Sequence, residues 1–204
     1  MSNPLVYVIE PFGCVRAYSE TLTCNLAGEI PAKLLTTGLT QVRGPIDRGD
    51  HTVERFFLRL TARIKTSGFK APSFLFKLLG LAEYCVDLFR LRRLRQEGVV
   101  FHWQWIPVPT LTLPLLWLFR VPIDVLTSHD LVLSGSDGIT LSWASKASLK
   151  MAKRVIFHSA KLEAAAIALM PSLTGKTQVI PHGLLFELAA GRTNLIKDFK
   201  LQMT

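Results

Sequence analysis

The stretch VVFHWQWIPVPTLTLPLLWLFRVPIDVLTSHD, residues 99–130, decides the fold. Its first seven residues, 99–105, form a β-branched and aromatic run of the length of a buried strand. TLPLLWLF (112–119) follows as a short helix, and IDVLT (123–127) as a second strand that runs out into Thr127, Ser128, His129 and Asp130. The same rhythm continues downstream. SWASKASLKMA (142–152) reads as a helix, RVIFHS (154–159) as a strand, KLEAAAIALM (161–170) as a helix and TQVI (177–180) as a strand. Strand and helix alternating over short links is the signature of right-handed βαβ units in a parallel sheet.

Upstream, PLVYVIE (4–10) is a first strand closed by Pro11 and Gly13. Helix-compatible sequence runs from Arg16 to Ala27, and AKLLTT makes a second short run before Gly38. Residues 42–50 read as loop. Residues 51–65, HTVERFFLRLTARIK, place Val53, Phe56, Phe57, Leu60 and Ile64 on one helical face and Arg55, Arg59 and Arg63 on another, which predicts a single amphipathic helix. A longer helix is expected over 73–96, ending at Gly98. The fold class is therefore α/β: a Rossmann-like parallel sheet flanked by helices over residues 1–183, with 184–204 as a tail or truncated interdomain linker.

In such a sheet the loops after the strands emerge at one edge, where ligands bind near the point at which strand order reverses. Four of the five histidines, His102, His129, His158 and His182, lie in or just past the carboxyl end of a strand. The fold would gather Gly13, Gln104, Trp105, His129, Asp130, His158 and His182 along one rim. A single strand-terminal imidazole is as well explained by local backbone capping. Four together weigh against that explanation, because a random scatter would leave some in helices.

Composition narrows the partners. The chain has 204 residues, 49% of them hydrophobic and 19% charged, which is globular composition. Its net charge of +9 favours an anionic partner: phosphate, nucleotide, nucleic acid or an anionic membrane surface. Cys14, Cys24 and Cys85 are an odd number without C-x-x-C spacing, so no closed disulfide framework is expected and a reducing cytosol is the simplest setting. The N-terminus lacks the pattern of an export signal. The most apolar region, residues 72–91, is interrupted by Lys77, Glu83 and Asp87, and a membrane-spanning helix is not expected.

Several motifs fail on inspection. TGKT (174–177) lacks the earlier glycine of a phosphate loop, since Met170 stands there, and it leads into a strand. SGSDG (134–138) has Ser134 where a nucleophile elbow needs glycine. No G-x-G-x-x-G follows the first strand, and the histidines and cysteines lack zinc-ligand spacing, so no metal is expected. In FRLRRLR (89–95), Arg90, Arg92, Arg93 and Arg95 interleave with Phe89, Leu91 and Leu94 at helical spacing, without exposed aromatics for stacking on bases. Nucleic acid is not the expected partner. The segment is either a solvated helix end facing the negative pole of the dipole or a contact for anionic lipid headgroups.

Taken in order, VVFHWQWIPVP, DVLTSHDL, AKRVIFHSAKLEAAA and QVIPHG resemble the N-terminal domain of family 4 glycosyltransferases of the GT-B fold. The similarity runs from the first strand to Gly183, and the helical segment ERFFLRLTARI looks like a bacterial branch that builds surface or exported polysaccharides. The resemblance implies an acceptor-binding domain facing a second Rossmann-like domain that holds the nucleotide-sugar donor. Transfer is then retaining and metal-free, with no cofactor beyond the donor substrate, and helix dipole, backbone amides and basic side chains stabilise the leaving diphosphate.

By the same resemblance His129 is the catalytic or sugar-orienting residue, with Asp130 beside it to fix its tautomer or bind a hydroxyl. Gly13 matches the glycine after the first strand, although family members often carry a Gly-Gly pair where this chain has Phe12 and Gly13. Gln104, Trp105, His158 and Ser159 fall on the acceptor side, and His182 and Gly183 on the turn toward the donor domain. The family's E-x7-E element has no counterpart: Glu187 is the sole glutamate after Gly183, and the position eight residues on is Leu195. The expectation is a cytoplasmic acceptor half, peripheral at the inner face of the plasma membrane. It would take a sugar or lipid-linked glycan acceptor and need a donor-domain partner. The alternative is a non-catalytic interaction subunit or membrane-surface adaptor with the same fold.

Overall fold

The computed structural model describes residues 5–13, 16–37, 53–68, 72–129 and 141–181. Asp130, His182, Gly183 and the 184–204 tail lie outside the described residues. Strands β1 (Leu5–Glu10), β2 (Ala32–Thr37), β3 (Val53–Phe57), β4 (Val99–Trp103), β5 (Val125–Ser128), β6 (Arg154–Phe157) and β7 (Thr177–Val179) form one sheet. The order is β3-β2-β1-β4-β5-β6-β7, and every pairing is parallel. The order reverses between β1 and β4, which opens a crevice at the carboxyl ends of those two strands. The α/β Rossmann-like architecture read from the sequence is the one observed.

Among the described residues six α-helices connect the strands: α1 (Arg16–Ala27), α2 (Arg59–Thr66), α3 (Ser73–Arg93), α4 (Pro109–Leu118), α5 (Trp143–Met151) and α6 (Ala160–Leu169). A parallel sheet buried on both faces needs apolar residues on both, and alternation along each strand divides them. Tyr7, Ile9, Phe101, Trp103, Leu126, Val155 and Phe157 belong to the large core, together with residues of α3 to α6. Val6, Val8, Ala32 and Leu34 face the other way, and Leu22 and Leu26 of α1 pack on them with Val100.

The predicted helix over 51–65 is corrected. Val53–Phe57 is a strand paired with β2, and the helix begins only at Arg59. Phe56 and Phe57 are both buried, which one helical face can also achieve, so the apolar spacing alone did not separate the two readings. The break falls at Leu58, whose backbone is left-handed at φ 54°. No local side chain caps α2. Its first amides are met from α3 instead: Leu58 N–H donates to Asp87 Oδ2 at 2.8 Å, and Thr61 N–H donates to Glu83 Oε2 at 2.8 Å.

At the amino edge of the sheet Asp124 ties three elements together. It accepts from the Phe101 amide at 3.0 Å and from Lys153 Nζ at 2.7 Å, and it pairs with Arg95. Burial alone would raise its pKa, but Lys153, the Phe101 amide and Arg95 together hold the carboxyl below its ordinary value. No described helix is long and apolar enough to cross a membrane.

Candidate functional site

The strand ends deliver polar side chains to one rim, and a row of them lies on the α1 face. Along β4 and the residue beyond it, Val100, His102 and Gln104 alternate with Phe101 and Trp103, so a period of two sends the imidazole and the amide away from the main core. The same parity puts Glu10 at the end of β1 and Thr36 in β2 on that face, and these two are register partners. Glu10, Thr36, His102, Gln104 and Thr127 are all buried.

Hydrogen bonds join the row. Thr127 Oγ1 lies 2.8 Å from His102 Nε2, and Gln104 Nε2 lies 3.2 Å from the same ring nitrogen. An amide nitrogen only donates, so His102 Nε2 is the acceptor and its proton sits on Nδ1. Burial, with His129 nearby, lowers the His102 pKa from 6.5 to about 4 and keeps this ring neutral. Gln104 Oε1 then accepts from His129 Nε2 at 3.3 Å. Held in this way, His129 Nε2 carries a proton.

His158 completes the group. Its ring centre is 5.0 Å from that of His129, and its Nδ1 donates to the Ile180 carbonyl at 2.8 Å. Tyr18 of α1 stands edge-on to both rings, at 5.1 Å from His129 and 5.3 Å from His158. Burial raises the Tyr18 pKa, so the phenol stays protonated at neutral pH. Residues from α1, β4, β5 and β6 thus meet within van der Waals distance, although their positions in sequence run from 18 to 158.

Of the residues expected at the rim, Gln104, His129 and His158 come together. Trp105, 38% exposed, lines a cleft of about 80 Å³ beside His129, with Thr127, Ser128 and Ser145 also in its wall. Gly13, left-handed at φ 73°, turns the chain from β1 toward the helix that carries Tyr18.

Ser159 points elsewhere, capping α6 by accepting from the Lys161 amide at 3.2 Å. The arginines sit at the far end of α3: Arg90 pairs with Asp87 at 2.9 Å, Arg93 lies over the Phe89 ring, and Arg95 binds Asp124 and the Val99 carbonyl at the opposite sheet edge. Arg92 is exposed. Tyr18 and Glu10 were not singled out from the sequence. Strand parity signals Glu10, since it continues the Val6, Val8 face, but nothing local signals Tyr18.

Among the described residues no group of His, Cys, Asp and Glu is arranged to hold a metal ion. No model of a known protein family matches the chain, and no curated protein matches it.

Proposed function

We propose that this chain is the acceptor-binding half of a retaining, nucleotide-sugar-dependent glycosyltransferase acting in polysaccharide or glycolipid synthesis at the cytoplasmic face of a membrane. A second Rossmann-like domain, from a partner chain or from further sequence, would bind the donor. The observation that carries the reading is the meeting of His129, His158, Gln104 and Tyr18 at the carboxyl rim beside the crevice between β1 and β4. Imidazoles and an amide, each with a hydrogen-bonding atom placed by its neighbours, suit a ligand rich in hydroxyl groups. In this reading His129, held by Gln104, takes the proton of the acceptor hydroxyl or orients the sugar, and His158 and Tyr18 fix its ring. Asp130, next in sequence, is assigned to the same task, and His182 and Gly183 to the donor side.

Transfer of labelled sugar from a panel of nucleotide sugars to a lipid extract, with a donor-domain partner present, tests this. His129→Ala should lower the rate about 10²- to 10⁴-fold. A chain that neither associates with any such partner nor supports transfer would sink the proposal. The adaptor reading is favoured by a different observation, the exposure of Trp117 (76%) and Leu118 (62%) on a basic protein. It predicts flotation with anionic vesicles that weakens when Arg92 and Arg93 are changed to glutamate, without any transfer activity.

A further inference from the structure

A second concavity lies across the β4–α4 loop from the histidine rim. Trp105 and Ile106 of that loop face the small cleft, whereas Pro107 and Val108 face a groove of about 710 Å³ walled by α2, α3 and α4. The volume falls within the roughly 300–1,000 Å³ typical of ligand pockets. Its lining is overwhelmingly apolar, including Phe12, Leu58, Phe76, Leu81 and Leu111. Two cations, Lys65 near the end of α2 and Lys77 in the second turn of α3, are in its wall, and among the described residues no acidic side chain lines it.

Three features describe the groove's wall. Gly80 lines it from the interior of α3, and a Cβ placed there would meet nothing within 4 Å, so the helix leaves the space open. A glycine inside a helix costs about 1 kcal/mol relative to alanine. Leu58 (φ 54°) and the β-branched Val108 (φ 40°), both in the wall, hold left-handed backbone that such residues rarely adopt. The neighbouring acids are engaged elsewhere, Glu83 on the amides of α2 and Asp87 on Leu58 and Arg90.

We propose that this groove binds an amphiphile made of one long apolar chain and an anionic head, the chain lying along Phe76, Gly80 and Leu81 and the head held by Lys65 and Lys77. Exposed Phe74 and Leu78 on α3 extend the apolar surface outward from this wall and give such a molecule a path from a bilayer. The inference stands on the groove alone and does not depend on the sugar-transfer reading of the rim.

Binding of an alkyl phosphate series and the matching alkyl alcohols, measured by calorimetry on the whole chain, tests it. Affinity should rise about fourfold per added methylene until the groove is filled. Lys65→Gln with Lys77→Gln should weaken the phosphates about tenfold and leave the alcohols unchanged. An equal loss for a carboxylate series would show that the site reads charge and not phosphate. Gly80→Trp, which enters open space, should abolish binding while the thermal transition is retained, and Gly80→Ala should bind within about twofold of the parent chain.

Affinity that does not change with chain length, or a Gly80→Trp protein that binds normally, would overturn the proposal. So would a dimer of the parent chain that Gly80→Trp dissociates, since the groove would then be covered by a second copy.

Discussion

The two faces of the sheet are made by the same strands and hold opposite chemistry. On one, Phe101, Trp103, Leu126, Val155 and Phe157 close a dry core against α3 to α6. On the other, the neighbouring positions His102, Gln104, Thr127 and His158 form a polar row under α1. The first face is filled by area and shape, and removing atoms from it leaves a void. The second satisfies directional donors and acceptors, and what matters there is whether each keeps a partner. Burial therefore means stability on one side of a strand and a poised site on the other.

Substitutions should separate the faces. Phe157→Ala, at a fully buried position of the dry face, is expected to cost about 3–5 kcal/mol in denaturant unfolding. A loss under about 1 kcal/mol would show that this face is not a packed core.

The polar face should respond to pH instead. His102 titrates at about 4 in the fold, below its ordinary 6.5, so the unfolded chain takes up the proton first. Stability from this group is whole above pH 6.5, falls by up to about 1.4 kcal/mol per pH unit on the way down to about pH 4, and then levels off. Asp124, whose folded pKa is also lowered, contributes stability that is lost only at still lower pH, as the medium falls through the carboxylate range. Unfolding curves across these windows check the separation: His102→Gln should flatten the first and leave the second.

The smallest effect is expected at the rim itself. His129 is half-buried, and its loss leaves the bonds from Thr127 and Gln104 to His102 in place. His129→Ala also removes the donor to the buried Gln104 Oε1, so it should cost about 1–2 kcal/mol, still below the core substitution. A larger loss, measured by the same unfolding curves, would make His129 a structural residue and erase the contrast between the rim and the core.

Much of this was legible in the chain. From Val99 onward each apolar run and each helical stretch corresponds to an element, because short links and strong alternation leave few other arrangements. The rim was legible only as a tendency of histidines to follow strands. Its membership depended on more. His102 lies inside β4, and only the parity of Val100, His102 and Gln104 marks it. Tyr18 reaches His129 and His158 from a helix more than 100 residues earlier, with no local pattern to announce it. Ser159 has the composition of a site residue and the geometry of a helix cap.

The clearest division falls at Leu58. Sequence by itself determined that 53–66 holds regular structure with a buried apolar face, since hydrophobic spacing is a local property of the chain. Where strand gives way to helix was decided only in three dimensions. A helix start needs acceptors for its first amides, and here they come from Glu83 and Asp87, which are 22 to 29 residues away. The same holds for the crevice between β1 and β4. Each strand is written in its own residues, but their adjacency, and with it the convergence of imidazoles from separate segments, exists only once the sheet has closed.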